Sequence, residues 1–185
     1  VQWLTAGDGI NHAEMFPLLK EGQPNPLNLF QIWLNLPRKN KRVQPHFSMF
    51  WDQKIPKVNA VDSEGRKTHI TLVAGALDGQ RALSPPPNSW ASDASSNLSI
   101  LVIKMQGSAR WRLPATPPGV DRALYVIGPG HVSIGGHMIG AGHQLVFEHS
   151  VSVELEAGSK ELEMLLLQGR PIGEPVARHG PFVMN

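Results

Sequence analysis

Apolar residues in this chain come in short runs, with few of the spaced stripes that mark helices. Residues 27–36 read Leu-Asn-Leu-Phe-Gln-Ile-Trp-Leu-Asn-Leu. A run so rich in strand-favouring side chains predicts a β-strand. In that strand Leu27, Leu29, Gln31, Trp33 and Asn35 share one face, and Asn28, Phe30, Ile32, Leu34 and Leu36 share the other. Pro37 ends it, because proline has no N–H to give to a ladder. Further strands are predicted at 69–74, 98–105, 123–127, 131–134, 144–147, 150–155 and 162–168. Gly-Pro, Gly-Gly, Pro-Pro-Gly and Asp-Gly sequences separate them and read as turns. The stretch 155–167 carries some helical spacing, but Gly158-Ser159 interrupts it and its second half reads as a strand. Short strands at nearly regular spacing predict an all-β sandwich or barrel.

Composition agrees with that pattern. The 185 residues hold 18 Gly and 16 Pro, a turn-rich mixture with room for one or two domains. Lys and Arg exceed Asp and Glu by only 17 to 15, so the net charge of +2 makes no electrostatic case for nucleic acid. The absence of cysteine excludes disulfides and thiolate metal ligands. It fits a reducing compartment, and a cytoplasmic location is the expectation. No apolar run approaches the roughly 20 residues of a membrane span. Two breaks in composition stand out. Arg38-Lys39-Asn40-Lys41-Arg42 is a basic run read first as a solvated loop, with a phosphate or partner contact as the lesser reading. Residues 75–96, with Pro85-Pro86-Pro87 and a Ser/Asn/Asp tract, read as the start of a second domain.

The residues with most chemical content are His12 and Glu14. Two positions apart on a strand, they would point the same way. An imidazole and a carboxylate aimed together can bind a first-row metal or shuttle a proton. On spacing alone, a surface pair or a hydrogen-bonded polar pair is the commoner meaning. His131, His137 and His143 recur every six residues, but across turns, which argues against a second metal site. The Gly-rich pieces around 128–130, 135–136 and 140–142 read as hairpin turns, since no Gly-Lys-Ser/Thr end follows. Trp90 and Trp111 read as packing residues before pocket residues, and His179 as structural.

The surroundings of His12 and Glu14 change the picture. Gln2-Trp3-Leu4-Thr5-Ala6-Gly7, Gly9-Ile10 and His12-Ala13-Glu14-Met15 closely resemble a signature of the pirin family. Residues 29–37 are similar to that family's Leu-Gln-Leu-Trp-Val-Asn-Leu-Pro strand, through Gln31, Trp33, Asn35, Leu36 and Pro37. Ile55-Pro56, Glu174-Pro175-Val176 and His179-Gly180-Pro181-Phe182-Val183-Met184-Asn185 resemble further family blocks in the family order. Between about 57 and 165 the resemblance is one of strand pattern only.

The resemblance implies an all-β chain of two cupin barrels, jelly-roll-like double-stranded β-helices. Residues 1–70 would be the remainder of an N-terminal metal-binding barrel, 71–168 a C-terminal barrel, and 169–185 a segment returning towards the first. It implies one divalent metal, most often Fe(II), held by three histidines and a glutamate. His12 and Glu14 match two of these ligands. The other two belong to a His-Pro-His motif that occurs nowhere in these residues. The expectation is therefore a first barrel that is incomplete, a chain trimmed at both ends, and weak metal binding, because affinity follows ligand number and geometry. The implied activity is that of a quercetin 2,3-dioxygenase, acting on a flavonol-like molecule with dioxygen. Glu14 would be a ligand or the acceptor of the substrate's hydroxyl proton. Gln31 and Asn11 would support the ligands or be merely structural. The alternative is a non-enzymatic, iron-dependent regulator that meets a protein partner through residues 38–42 and the second barrel.

Overall fold

The computed structural model describes residues 1–180 and 182–184, so Pro181 and Asn185 of the terminal motif lie outside the described residues. The strands in chain order are β1 (Gln2–Thr5), β2 (His46–Met49), β3 (Lys57–Val61), β4 (Lys67–Ala74), β5 (Ala76–Leu77) and β6 (Gln80–Arg81). They continue with β7 (Ser99–Met105), β8 (Arg110–Leu113), β9 (Asp121–Val126), β10 (His131–Ile134), β11 (His137–Gly140) and β12 (Gln144–Val146). The last are β13 (Val153–Ala157), β14 (Leu162–Gly169), β15 (Ala177–His179) and β16 (Phe182–Met184). No α-helix occurs among the described residues; the only helical pieces are 3-10 turns such as Arg38–Asn40 and Trp90–Ser92.

A six-stranded sheet in the order β12-β9-β14-β7-β4-β3 packs on a four-stranded sheet in the order β11-β10-β13-β8. Every pairing within them is antiparallel. The shared core takes Ile70, Leu72, Ile103, Leu124, Met164 and Leu166 from the larger sheet, and Leu113, Val132 and Leu155 from the smaller. The alternation that builds it is plain on β9, where Arg122, Leu124 and Val126 are buried while Asp121 is exposed. β7 and β14 lose this alternation for a physical reason, since their outer face is also covered. Ile100 and Leu165, with Val73 and Ala74, form a second apolar cluster there, under Trp3 and Phe30. Strands covered on both faces read as near-continuous apolar runs.

Residues 27–36 do not form the predicted strand. A strand needs a ladder partner for its N–H and C=O groups, and among the described residues this segment pairs with none. It runs as irregular chain that drops Phe30 onto the outer cluster and leaves Leu27, Leu29 and Trp33 exposed. The predicted strands at 69–74, 98–105, 123–127, 131–134, 144–147, 150–155 and 162–168 all overlap observed ones. β4 crosses residue 70 and pairs with β7, so the sheet is continuous there.

The first residues are tied to the sandwich at specific points. The Val1 amino group donates to Phe50 O at 2.6 Å, and the Trp3 and Phe50 rings lie 6.1 Å apart. Thr5 Oγ1 donates to Pro87 O at 3.3 Å. Gly7 turns the chain with φ +51°, and a Cβ there would stand 2.0 Å from Val43 O, so no other residue fits. The C-terminal segment crosses back over this region. Trp90 Nε1 donates to Arg170 O at 2.7 Å, Arg38 N to Glu174 Oε2 at 2.7 Å, and Lys41 Nζ to Asn35 Oδ1 and to Val183 O. The basic run is thus partly tied down and is not a free loop. Burial pushes the Lys41 pKa down, against the opposing pull of Glu174.

Asp62 joins the β3–β4 turn to β8. Its carboxylate accepts from Glu64 N and Arg66 N at 2.9 Å, from Arg66 Nε at 2.8 Å and from Arg110 N at 3.1 Å. Burial alone would raise its pKa, but the bonds from Arg66, Arg110 and Glu64 outweigh burial and hold the group well below the usual carboxylate range. A depressed folded-state pKa stabilises the fold above the unfolded value of about 4, and that stability is lost as pH falls through the folded value. Asp62→Ala should therefore lower the melting temperature by several degrees at neutral pH. The gap to wild type should close on acidification below about pH 3. Melting curves that coincide at pH 7 would contradict this role.

Candidate functional site

His12 and Glu14 follow the tight turn at Gly7, where Asp8 N donates to Val43 O at 3.0 Å and Gly9 N to Ala6 O at 2.8 Å. The residues that carry them form neither strand nor helix, and both side chains are exposed, as is Asn11 beside them. Among the described residues, no group of three or more His, Cys, Asp or Glu side chains gathers in one place. An imidazole and a carboxylate are suitable donors for a first-row metal. Their number is not: two donors on an exposed irregular segment fix no coordination geometry. These residues by themselves do not build a metal site.

Gln31 lies in a different setting. With Phe30, Ile32 and Trp33 it forms one wall of a groove of about 780 Å³. The opposite wall is the outer face of the six-stranded sheet, through Tyr125, Ile127, Leu165 and Leu167. Gln144 Nε2 donates to Tyr125 Oη at 3.1 Å at its edge.

The three spaced histidines separate. His131 lies against Gly158, where a Cβ would come within 2.3 Å of its ring. His137 is exposed, and His143 Nδ1 pairs with Gly140 O at 3.0 Å. Trp111 is buried in the core, and Trp90 is the donor to Arg170 already described. His179 is exposed in β15, opposite Phe182.

One residue without any motif around it proves structurally central. Arg122 is 1% exposed on the inward face of β9. Its Nη1 donates to Val151 O at 2.8 Å and Glu148 O at 3.3 Å, its Nη2 to Pro114 O at 2.7 Å, and its Nε to Gln168 Oε1 at 3.4 Å. The Phe147 ring lies 5.9 Å away. Among the described residues no carboxylate forms an ion pair with it. Burial pushes its pKa down from the ordinary arginine value. The signal in the sequence is its place in an alternation: the inward positions of β9 read Arg122, Leu124, Val126.

Residues 100–185 match the family model of the pirin C-terminal cupin domain. Over these residues the chain is similar to the pirins. Mouse pirin is 32% identical over 192 residues, an alignment that takes in 100% of this chain and 59% of that protein. A Vibrio cholerae protein provisionally named quercetin 2,3-dioxygenase is 30% identical over 194 residues, covering 100% of this chain and 60% of the relative. The chain thus spans about three fifths of the length of these relatives. A crystal structure of quercetin 2,3-dioxygenase from Acinetobacter baumannii superposes with a TM-score of 0.65, over 83% of this chain and 49% of that one. At 24% identity that likeness shows the chain's fold and nothing finer.

Proposed function

We propose that the protein in its full length is a metal-dependent oxidoreductase of the quercetin 2,3-dioxygenase type. Its substrates would be a flavonol-like small molecule and dioxygen. The observation that carries this reading is the His12-Ala13-Glu14 motif in a chain that aligns throughout with the Vibrio relative so named. His12 and Glu14 would be two ligands of one Fe(II), completed by donors that these residues do not supply. Glu14 has a second role open to it, as acceptor of the flavonol's hydroxyl proton. In this reading the residues before β3 belong to the metal-binding barrel, β3 and β4 join the residues up to 168 in the C-terminal barrel, and 169–185 return to the first. A cytoplasmic location belongs to the same reading. No helix among the described residues is long and apolar enough to cross a membrane.

The test is oxygen uptake with quercetin by iron-loaded protein expressed from its complete gene, beside an authentic flavonol dioxygenase. Consumption of dioxygen that requires both quercetin and iron supports the proposal. Its absence while the reference enzyme turns over defeats it. The alternative, an iron-dependent regulator acting through a protein partner, would use the basic run as a docking surface. Lys41 is half-buried against Asn35 and Val183, which reduces what that run can offer. A partner captured equally by iron-loaded and iron-free protein would count against an iron switch.

A further inference from the structure

The strand register places a polar row inside an otherwise apolar sandwich. Gln168 of β14 stands opposite Ser99 of β7 on one side and opposite Arg122 of β9 on the other. All three sit at inward positions of their strands. Further along, the same inward columns read Leu101, Ile103 and Met105 on β7, Leu166, Met164 and Leu162 on β14, and Leu124 and Val126 on β9. Each column is thus apolar through its length and turns polar at one end of the sandwich.

At that end lies a cavity of about 310 Å³. Leu101, Leu113 and Leu166 line it and are almost fully buried, so its depth is apolar. Ala76, Asp78 and Ala115 line it and are exposed, so they form its mouth. Ser99 and Gln168 supply its polar wall. The guanidinium of Arg122 stands behind that wall, bonded to Gln168 and to the carbonyl of Pro114, another lining residue.

The wall has a direction. Because Gln168 Oε1 accepts from Arg122 Nε, the amide nitrogen is left as the donor group for the cavity. Among the described residues no hydrogen bond occupies that nitrogen. The Ser99 hydroxyl adds a second group able to donate. Behind both is a buried positive charge that, among the described residues, is met by carbonyl dipoles, the Gln168 amide and the Phe147 ring. A buried cation without an ionic partner favours an anion brought near it in a low-dielectric setting. Asp78 at the mouth disfavours a second negative charge on the incoming molecule. The volume is at the lower end of ligand pockets, about 300–1,000 Å³, and is about twice the roughly 150 Å³ in which an engineered apolar cavity holds benzene.

We propose that the mouth of this cavity is a binding site for a small apolar monocarboxylate, held by Gln168 and Ser99 with its hydrocarbon body against Leu101, Leu113 and Leu166. The site is separate from the metal reading and needs none of its ligands. Its test is calorimetric titration of the whole chain with benzoate, in the presence of a chelator. The expected result is saturable binding of one benzoate per chain, unchanged by the chelator and much weaker for uncharged benzyl alcohol. Gln168→Leu should weaken benzoate at least about tenfold, the scale of a lost hydrogen bond to a charged group. Ala76→Phe should fill the mouth and abolish binding, and thermal melting of both variants should show intact folds. If Gln168→Leu fails to fold, Ala76→Phe decides alone. No saturation by benzoate, or wild-type affinity in a folded Ala76→Phe variant, overturns the proposal.

Discussion

Replacing Arg122 with methionine should lower the melting temperature of the chain by about 10 °C. Methionine keeps most of the apolar stem but has no donor. Pro114 O, Glu148 O and Val151 O, on loop residues at the end of the sandwich, would then lose the N–H groups that satisfy them. Hydrogen bonds to a charged donor contribute about 1.5–3 kcal/mol each, so the loss comes to several kcal/mol even after water takes over some of the carbonyls. For a chain of this size, about 1 kcal/mol moves the midpoint by roughly 2–4 °C. Exchanging a buried ion pair for apolar residues is often harmless, because both partners leave together. Here the partners are backbone carbonyls, which remain behind. Arg122→Lys should fall between wild type and Arg122→Met, since an ammonium keeps the charge but cannot span three carbonyls in a fixed fork. A methionine variant that melts with wild type would mean that water replaces the guanidinium at no cost.

Leu124→Ala should cost about 2–5 kcal/mol, the range for deleting a fully buried leucine side chain. Leu124 is 0% exposed at the centre of β9. In register it faces Leu145 of β12 on one side and Leu166 of β14 on the other. The lost atoms thus open a void under β9, where paired strands on both sides resist collapse. Val146→Ala is the matched control, because Val146 is 75% exposed at the sheet edge and should change stability by no more than about 0.5 kcal/mol. Urea denaturation followed by circular dichroism reads both. A Leu124→Ala midpoint equal to that of the control would remove β9 from the core.

Most of the sandwich was legible in the sequence, although β3, β8 and β11, which also find partners inside this chain, were not predicted. The strands predicted at 98–105, 123–127 and 162–168 lie on β7, β9 and β14. Residues 27–36 carry an equally strong strand pattern and yet stay irregular. Local preference cannot supply the ladder partner that a strand needs, and among the described residues none is there. The same limit applies to His12 and Glu14. Their motif could be read from neighbouring residues, but a metal site is a matter of ligands brought together from distant positions, and the fold of these residues gathers no third. Arg122 shows the opposite case. No motif surrounds it, and its importance rests on three carbonyls from loops 8 to 29 positions away. The polar row it forms with Gln168 and Ser99 depends on register, which a single strand's sequence does not display.

The most direct measurement is metal content per chain, by elemental analysis, for protein expressed from its complete gene and for its His12→Ala and Glu14→Gln variants. The account predicts about one iron per wild-type chain and a fall to background in His12→Ala, with a marked loss in Glu14→Gln, while circular dichroism shows all three folded. A wild-type protein without metal, or folded variants that keep their iron, would contradict the assignment of His12 and Glu14 as ligands and with it the dioxygenase reading.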